Sequence, residues 1–298
     1  MTVAWVFPGQ GSQKIGMAKQ IENLPNSKER FNYASEVFDR NLFKICESNS
    51  ETTNPLTDLN NTRNTQICLF LVESILLDAL KNNGFKPTYV AGHSLGEITA
   101  LYCADVLSFE DCVSLIKVRS QLMVNAAKGS MAAVIGFDRN QLDKLVKEID
   151  DVVIANDNSS SQVVLSGSNE ALDNLSREIT CKRYLKLNVS GAFHSPFMNA
   201  PSVKFSEYLK KIKFKNPIFP VISNYDPTIC SDPNELKIRL ENQMCNGVRW
   251  RETMDLMAQE SDLHIVEIGP SNVLGGLGKR HLKDVKISQV SSSDQIIY

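Results

Sequence analysis

Hydrophobic and polar positions change period along the chain, and each change marks an element. "VAWVF" at 3–7 is a short apolar run closed by Pro8-Gly9, the pattern of a buried strand. A mixed polar region with helical spacing follows to about residue 60, and "TQICLFLVESILLDAL" at 65–80 predicts a long buried helix. "TYVAG" at 88–92 predicts the next strand and "GEITALYCADVL" the helix after it. "SFEDCVSLIKVRSQLMVNAA" at 108–127 opens on Ser108 and an acidic first turn, a helix N-terminus. Its apolar positions Val113, Leu115, Ile116, Val118, Leu122 and Met123 suit a half-buried helix.

Between 129 and 190 the order becomes strand ("SMAAVIGF"), helix ("RNQLDKLVKEI"), strand ("DVVIAND"), strand ("SQVVLSG"), helix ("SNEALDNLSREI"), strand ("CKRYLKLNV"). That is βαββαβ, the split βαβ order of a ferredoxin-like unit, most simply an inserted subdomain over 129–190. Afterwards come "FSEYLKKI" (helix), "IFPVISN" (strand), "PNELKIRLENQM" (helix) and "HIVEIGP" (strand). Residues 1–128 and 191–298 thus alternate strands and helices, which predicts an α/β body with a mostly parallel sheet.

Composition narrows the function classes. Hydrophobic residues make up 42% and charged residues 22%, the balance of a globular protein. A net charge of −2 offers no bulk basic field for nucleic acid or an anionic membrane. The most apolar segment is too short to span a bilayer and carries Glu73 and Asp78. "MTVAWVFPGQGSQ" has neither a charged n-region nor a long enough apolar h-region, so no secretory signal is expected. The seven cysteines are scattered without a C-x-x-C pair, which predicts reduced thiols in a cytoplasmic protein, with no metal site.

The chemistry centres on "GHSLGE" at 92–97, a Gly-x-Ser-x-Gly placed between a predicted strand and a predicted helix. In a nucleophile elbow the glycines let the backbones pass close to a strained serine. The helix N-terminus that follows turns amide N–H groups towards developing negative charge. The bland alternative is a Gly/Ser turn leading into a helix. A nucleophilic Ser94 needs a base, and the chain has four histidines. His93 is adjacent and leaves the chain in another direction. His264 falls within a strand, and His281 lies in the charged "GKRHLKD", near the surface. His194, in the small-residue loop "SGAFHSPFM", is the best candidate base, with a structural role as its alternative. "FPGQGSQ" at 7–13 lacks both phosphate-loop patterns; it reads as a strand-end loop completing an oxyanion hole, or as a plain turn. By spacing alone Arg119 looks like a cation on a helix surface.

Taken together, "FPGQGSQ", "GHSLGE", "KVRSQLM", "SMAAVIG", "GAFHS" and "EIGPSNVLGGL" span nearly the whole chain. In that order the chain resembles the malonyl-CoA:acyl-carrier-protein transacylases, in the free-standing form of bacterial and plastid fatty acid synthesis. The resemblance implies an α/β-hydrolase-like large domain with the ferredoxin-like insert. It implies acyl transfer from malonyl-CoA to the phosphopantetheine thiol of acyl carrier protein, with no cofactor of the enzyme's own. Ser94 would be the nucleophile and His194 the base, and the backbone N–H groups of Gln10 and Leu95 would form the oxyanion hole. Arg119 would pair with the malonyl carboxylate, as a guanidinium suits. Gln243 would sit near the histidine, where a carbonyl or amide rather than an aspartate orients the imidazole. A monomer in the cytoplasm, or in the plastid stroma if processed from a precursor, is expected.

Departures from the commonest family pattern are Ser160-Ser161 for Pro-Gly, and Gly247 and Arg249 for Pro and Gln. "VSSSDQIIY" at the end matches no assignable function. The same elbow also serves serine hydrolases and thioesterases, though Arg119 favours an anionic acyl group; methylmalonyl-CoA is another possible donor. A non-catalytic carrier-docking module would be expected to lose Ser94, His194 or Arg119. The lysines of "YLKKIKFKNP" at 208–217 read either as a docking patch for an acidic carrier or, more simply, as a solvated face.

Overall fold

Strand β1 (Thr2–Phe7) is buried on both faces, and its period of two sends Ala4 and Val6 to one core and Trp5 and Phe7 to another. The computed structural model describes residues 1–48, 54–126 and 128–296. After β1 come α1 (Ser27–Phe38), α2 (Leu42–Glu47), α3 (Thr62–Asn82), β2 (Tyr89–Gly92), α4 (Gly96–Cys103) and α5 (Phe109–Asn125). The next six are β3 (Ser130–Phe137), α6 (Arg139–Glu148), β4 (Val152–Ser159), β5 (Gln162–Gly167), α7 (Asn169–Glu178) and β6 (Cys181–Lys186). The chain continues through α8 (Asn199–Leu209), β7 (Val221–Ile222), β8 (Ile229–Cys230) and α9 (Pro233–Gln243). It closes with α10 (Trp250–Met257), β9 (Leu263–Ile268), α11 (Val273–His281) and β10 (Lys286–Val290).

The larger sheet has the order β10-β9-β1-β2-β7-β8 and is parallel except for the edge strand β8. On one face pack α3, α4 and α5 with α1, α2, α8 and α9; on the other, Trp250, Met254 and Met257 of α10 and Leu274 and Leu277 of α11. The smaller sheet is antiparallel with the order β4-β5-β3-β6, the strand order of a ferredoxin-like unit. Its Ala132, Val134, Val163 and Leu165 pack on α6 and α7, while Met131, Ala133 and Val164 face the other way, towards the larger sheet.

Caps end the helices where the sequence places them. Ser108 accepts from Asp111 N, and Ser168 and Asp138 cap α7 and α6 in the same way. The helix predicted over 108–127 stops at Asn125, and Ala127 lies outside the described residues. The strand predicted at 218–224 shrinks to Val221–Ile222: Pro220 before it has no N–H to donate, and after it Asn224 N donates to a side chain, Glu97 Oε2 at 3.1 Å. "VSSSDQIIY" begins as the end of β10 and continues as a short turn at Ser293–Gln295; Ile297 and Tyr298 lie outside the described residues.

Two close approaches set the central geometry. A Cβ on Gly92 would lie 1.9 Å from Gly96 C and O, and one on Gly96 would lie 2.0 Å from Phe7 O. The elbow after β2 and the end of β1 therefore touch backbone to backbone. Gly247, the departure from Pro, passes Ile154, where a Cβ would fall 2.7 Å from its carbonyl oxygen. There Val248 N donates to Ala155 O at 2.8 Å and Asp157 N to Val248 O at 2.9 Å, tying β4 to the larger sheet's side of the molecule. Gly96→Ala should lower stability by about 3 kcal/mol or more, since backbone atoms must move to admit the methyl group. Thermal unfolding measures this, and a Tm within a degree of wild type would contradict the packing described.

Candidate active site

Ser94 sits at the turn from β2 into α4 with φ of 53°, a left-handed conformation that costs a serine free energy and that its neighbours must hold. Asn224 holds it from one side: its Oδ1 accepts from Ser94 N at 2.7 Å, and its Nδ2 donates to Gly92 O at 2.5 Å. From the other side Gln243 Nε2 donates to Ser94 O at 2.8 Å. So clamped, Ser94 Oγ projects into a cleft of about 230 Å³ between the two sheets. Met131, Ala133 and Val164 of the smaller sheet wall it on one side, and Val273, Leu274 and Leu277 of α11 on another.

His194 comes to the serine from a loop 100 residues further on, with Nε2 2.7 Å from Ser94 Oγ. Its backbone is left-handed as well, at φ of 54°. Nδ1 lies 3.0 Å from Gln243 O and 3.2 Å from Asn246 O. Carbonyl oxygens only accept, so Nδ1 carries the proton and Nε2 presents its lone pair to the serine hydroxyl. Burial, then the nearby Arg119 guanidinium, lowers the imidazole's pKa from 6.5 to about 3, against the pull of the two carbonyls. Neutral imidazole is the form that accepts a proton.

Arg119 is 1% exposed, which overturns its reading as a surface cation. It shares a stripe with Cys112, Ile116 and Met123, all buried, at helical spacings of seven, three and four residues. That stripe was the signal for burial. Nη1 donates to Gln66 Oε1 at 2.7 Å; Nη2 donates to Gln243 Oε1 at 2.8 Å and to Ser94 Oγ at 3.1 Å. Burial lowers its pKa to about 10, with Glu97 opposing, and the group stays cationic at neutral pH.

Gln10 and Leu95 both line the cleft. Leu95 is the residue before α4, whose N-terminus points positive dipole at the serine. Among the described residues neither backbone N–H donates to a protein group, so both remain available to an oxyanion. Of the other histidines, His93 bonds Asn158 Oδ1 through Nε2 at 2.8 Å and packs edge-on against Trp250, and His264 bonds Ser288 Oγ at 2.8 Å. His281 lies near the surface, partly buried, with its side chain 10% exposed and paired with Asp255 at 2.7 Å. Lys210, Lys211, Lys213 and Lys215 are exposed, and none lines the cleft.

Sequence reasoning missed Gln66, Glu97 and Asn224. Gln66 was hidden in an apolar helical run, although an amide there is itself a signal; Asn224 closes the predicted strand "IFPVISN", where nothing in the pattern marks it as reaching another segment. Glu97 stands three residues after the serine, in the first turn of α4, wholly buried.

A serine, a neutral histidine, two free amides and a buried arginine thus meet in one cleft of an α/β scaffold, the parts that nucleophilic acyl transfer needs. The chain belongs to the acyl transferase family, whose domain model matches residues 4–294. It is 40% identical over 296 residues to the malonyl CoA-acyl carrier protein transacylase of Synechocystis sp., covering 99% of each chain. It is 35% identical over 304 residues to that of Staphylococcus aureus, covering 98% of this chain and 96% of the relative. The crystal structure of the Synechocystis malonyl-CoA:ACP transacylase superposes with a TM-score of 0.94, again at 40% identity and 99% coverage of both chains. A malonyl-transacylase in complex with a type II PKS acyl-carrier protein superposes with a TM-score of 0.91 at 33% identity, covering all of this chain and 98% of that one.

The pH behaviour follows from His194. Because its folded-state pKa lies below the ordinary 6.5, the unfolded chain takes up a proton that the folded chain refuses. Its contribution to stability is present above pH 6.5 and is lost as pH falls towards 3. Glu267, which accepts from Val273, Leu274 and Gly275 N–H groups, is raised to about 7 by burial and acts oppositely: its contribution fades as pH rises through 7. For acylation of free enzyme, the rate should be flat through pH 6.5 and fall only well below it. Stopped-flow acylation across pH checks this; a half-maximal point near 6.5 would show an unperturbed imidazole.

Proposed function

We propose that the chain transfers malonyl groups from malonyl-CoA to the phosphopantetheine thiol of acyl carrier protein through a malonyl-Ser94 intermediate. The observation that carries this reading is the placement of one oxygen, Ser94 Oγ, 2.7 Å from His194 Nε2 and 3.1 Å from the buried guanidinium of Arg119. Nucleophile, base and carboxylate receptor then converge on one acyl group. Ser94 Oγ attacks the thioester carbonyl and its proton passes to His194 Nε2. The oxyanion is received by Gln10 and Leu95 N–H, each such donor supporting the rate by roughly 10²–10³. Collapse breaks the C–S bond, and the coenzyme A sulfur leaves with the proton from His194. The carrier thiol then gives its proton to His194 and attacks the ester, and Ser94 regains its proton as it leaves.

Gln243 serves with its backbone carbonyl on His194 and its side chain on Arg119. In this reading residues 129–190 form an inserted subdomain that walls the cleft, on a catalytic body of 1–128 and 191–298. Among the described residues no helix is long and apolar enough to cross a membrane, and the placement that fits the reading is the cytoplasm or plastid stroma.

Intact-protein mass after brief mixing with malonyl-CoA should show one malonyl adduct, which moves to holo acyl carrier protein on its addition. Drainage to free malonate regardless of carrier would favour a hydrolase instead. Ser94→Ala should form no adduct; a mutant that still labels places the nucleophile elsewhere. Arg119→Ala should lower malonyl transfer by about 10²-fold, the scale of losing a buried charge-assisted pair, while acetyl transfer gains in proportion. Equal loss for both acyl groups would remove the selectivity role.

A further inference from the structure

Arg119 is buried, and among the described residues its bonds go to no carboxylate, although Glu97 is near enough for its charge to favour the cation. Two amide carbonyls hold it instead, those of Gln66 and Gln243. Gln66 is itself loosely anchored, its Nε2 resting on Met123 Sδ at 3.2 Å, a weak acceptor. Gln243 is the firm support. Its Nε2 donates to Ser94 O and to Glu97 Oε2, each at 2.8 Å. Glu97 Oε2 also accepts from Asn224 N at 3.1 Å. A single carboxylate oxygen behind the cleft therefore ties both arms that reach the site: Gln243 towards Arg119, and Asn224 towards the backbone of Ser94.

We propose that Glu97 is a positioning residue for acyl selectivity, holding the Gln243 amide so that its carbonyl aims the Arg119 guanidinium at the carboxylate of the acyl group. The inference rests on the malonyl-transfer reading and deepens it. Without an acceptor at position 97, one N–H of Gln243 is left unpaired in a dry site. The side chain then turns to find a partner, and its carbonyl leaves Arg119. The two branches part in their consequences. Disturbance through Asn224 reaches the serine backbone and slows every acyl donor alike; disturbance through Gln243 reaches Arg119 and penalises only donors with a carboxylate.

The test compares kcat/KM for malonyl-CoA and acetyl-CoA, with Tm recorded for each variant. In Glu97→Leu the malonyl-to-acetyl ratio should fall at least about tenfold, beyond any loss common to both donors. Glu97→Gln, whose carbonyl can stand in for Oε2, should bring the ratio back to within about threefold of wild type. In the Arg119→Ala background, Glu97→Leu should leave the ratio unchanged within about twofold, because its target is already gone. Should Glu97→Leu not fold, Glu97→Asp, which draws the oxygen back by one methylene, carries the same comparison. Equal losses for both donors in a folded variant, or a ratio in Glu97→Gln as low as in Glu97→Leu, would overturn the inference and leave malonyl transfer standing. A wild type that takes up no malonyl group would overturn both.

Discussion

Everything in the cleft depends on a contact between backbones: the end of β1 lies so close to the first turn of α4 that only glycine fits at position 96. That contact brings the loop carrying Gln10 beside the turn carrying Ser94 and Leu95, two segments more than 80 residues apart in sequence. It also forces the sharp turn that leaves Ser94 left-handed. A strained serine persists only where its surroundings over-determine it. Here its N–H and its C=O are each held by a side-chain amide, from Asn224 and Gln243. His194 is left-handed too, so the 2.7 Å contact between the reacting atoms joins two strained residues held by separate parts of the chain.

The smaller sheet is joined to this centre by more than its two chain connections. Asp157 receives Arg139 from α6 and Arg251 from α10, both at 3.1 Å, and the β4 backbone pairs with Val248 just after the segment that orients His194. His93 adds a side-chain link, from the elbow to Asn158 on β4. The cleft wall and the base are thus referenced to the same few residues, 246–248, through Asn246 O on the imidazole and Val248 on the strand. Gly247 between them explains itself: the neighbouring strand leaves no room for a Cβ.

Strands with strong apolar runs, such as "VAWVF" and "SMAAVIGF", were legible because their burial on both or alternate faces writes a period directly into the sequence. Past β9, which "HIVEIGP" announces, the chain was not. Helix α11 is "VLGGLGKRH", whose three glycines oppose helix formation by propensity; Glu267 caps it from the preceding strand, a tertiary contact. Strand β10, "KISQV", is only half buried and lies at an edge. In the site, the Gly-x-Ser-x-Gly turn and the loop histidine stood out by chemistry. The roles of Arg119 and Gln243 required resemblance, since helix spacing shows a stripe but not what the stripe faces. Glu97 and Asn224 touch no substrate in the proposed reaction, and nothing in a linear pattern distinguishes a carboxylate behind a site from one in solvent.

The polar partners of His194 bear on why such a site would transfer rather than hydrolyse. Among the described residues no carboxylate bonds the imidazole; two carbonyls hold its tautomer, and burial, with a guanidinium nearby, makes it a weaker base. Exchange of an acyl group between thiols needs little basicity, because a thiol with a pKa of about 8.5 gives up its proton far more readily than water does. In the proposed reaction a base weakened in this way loses more ground with water than with a thiol, which favours the carrier. The malonyl carboxylate, paired with Arg119, would offset only the smaller cause of that weakening. Burial, the larger one, persists in the acyl-enzyme, so the base stays weak at the step where water and thiol compete.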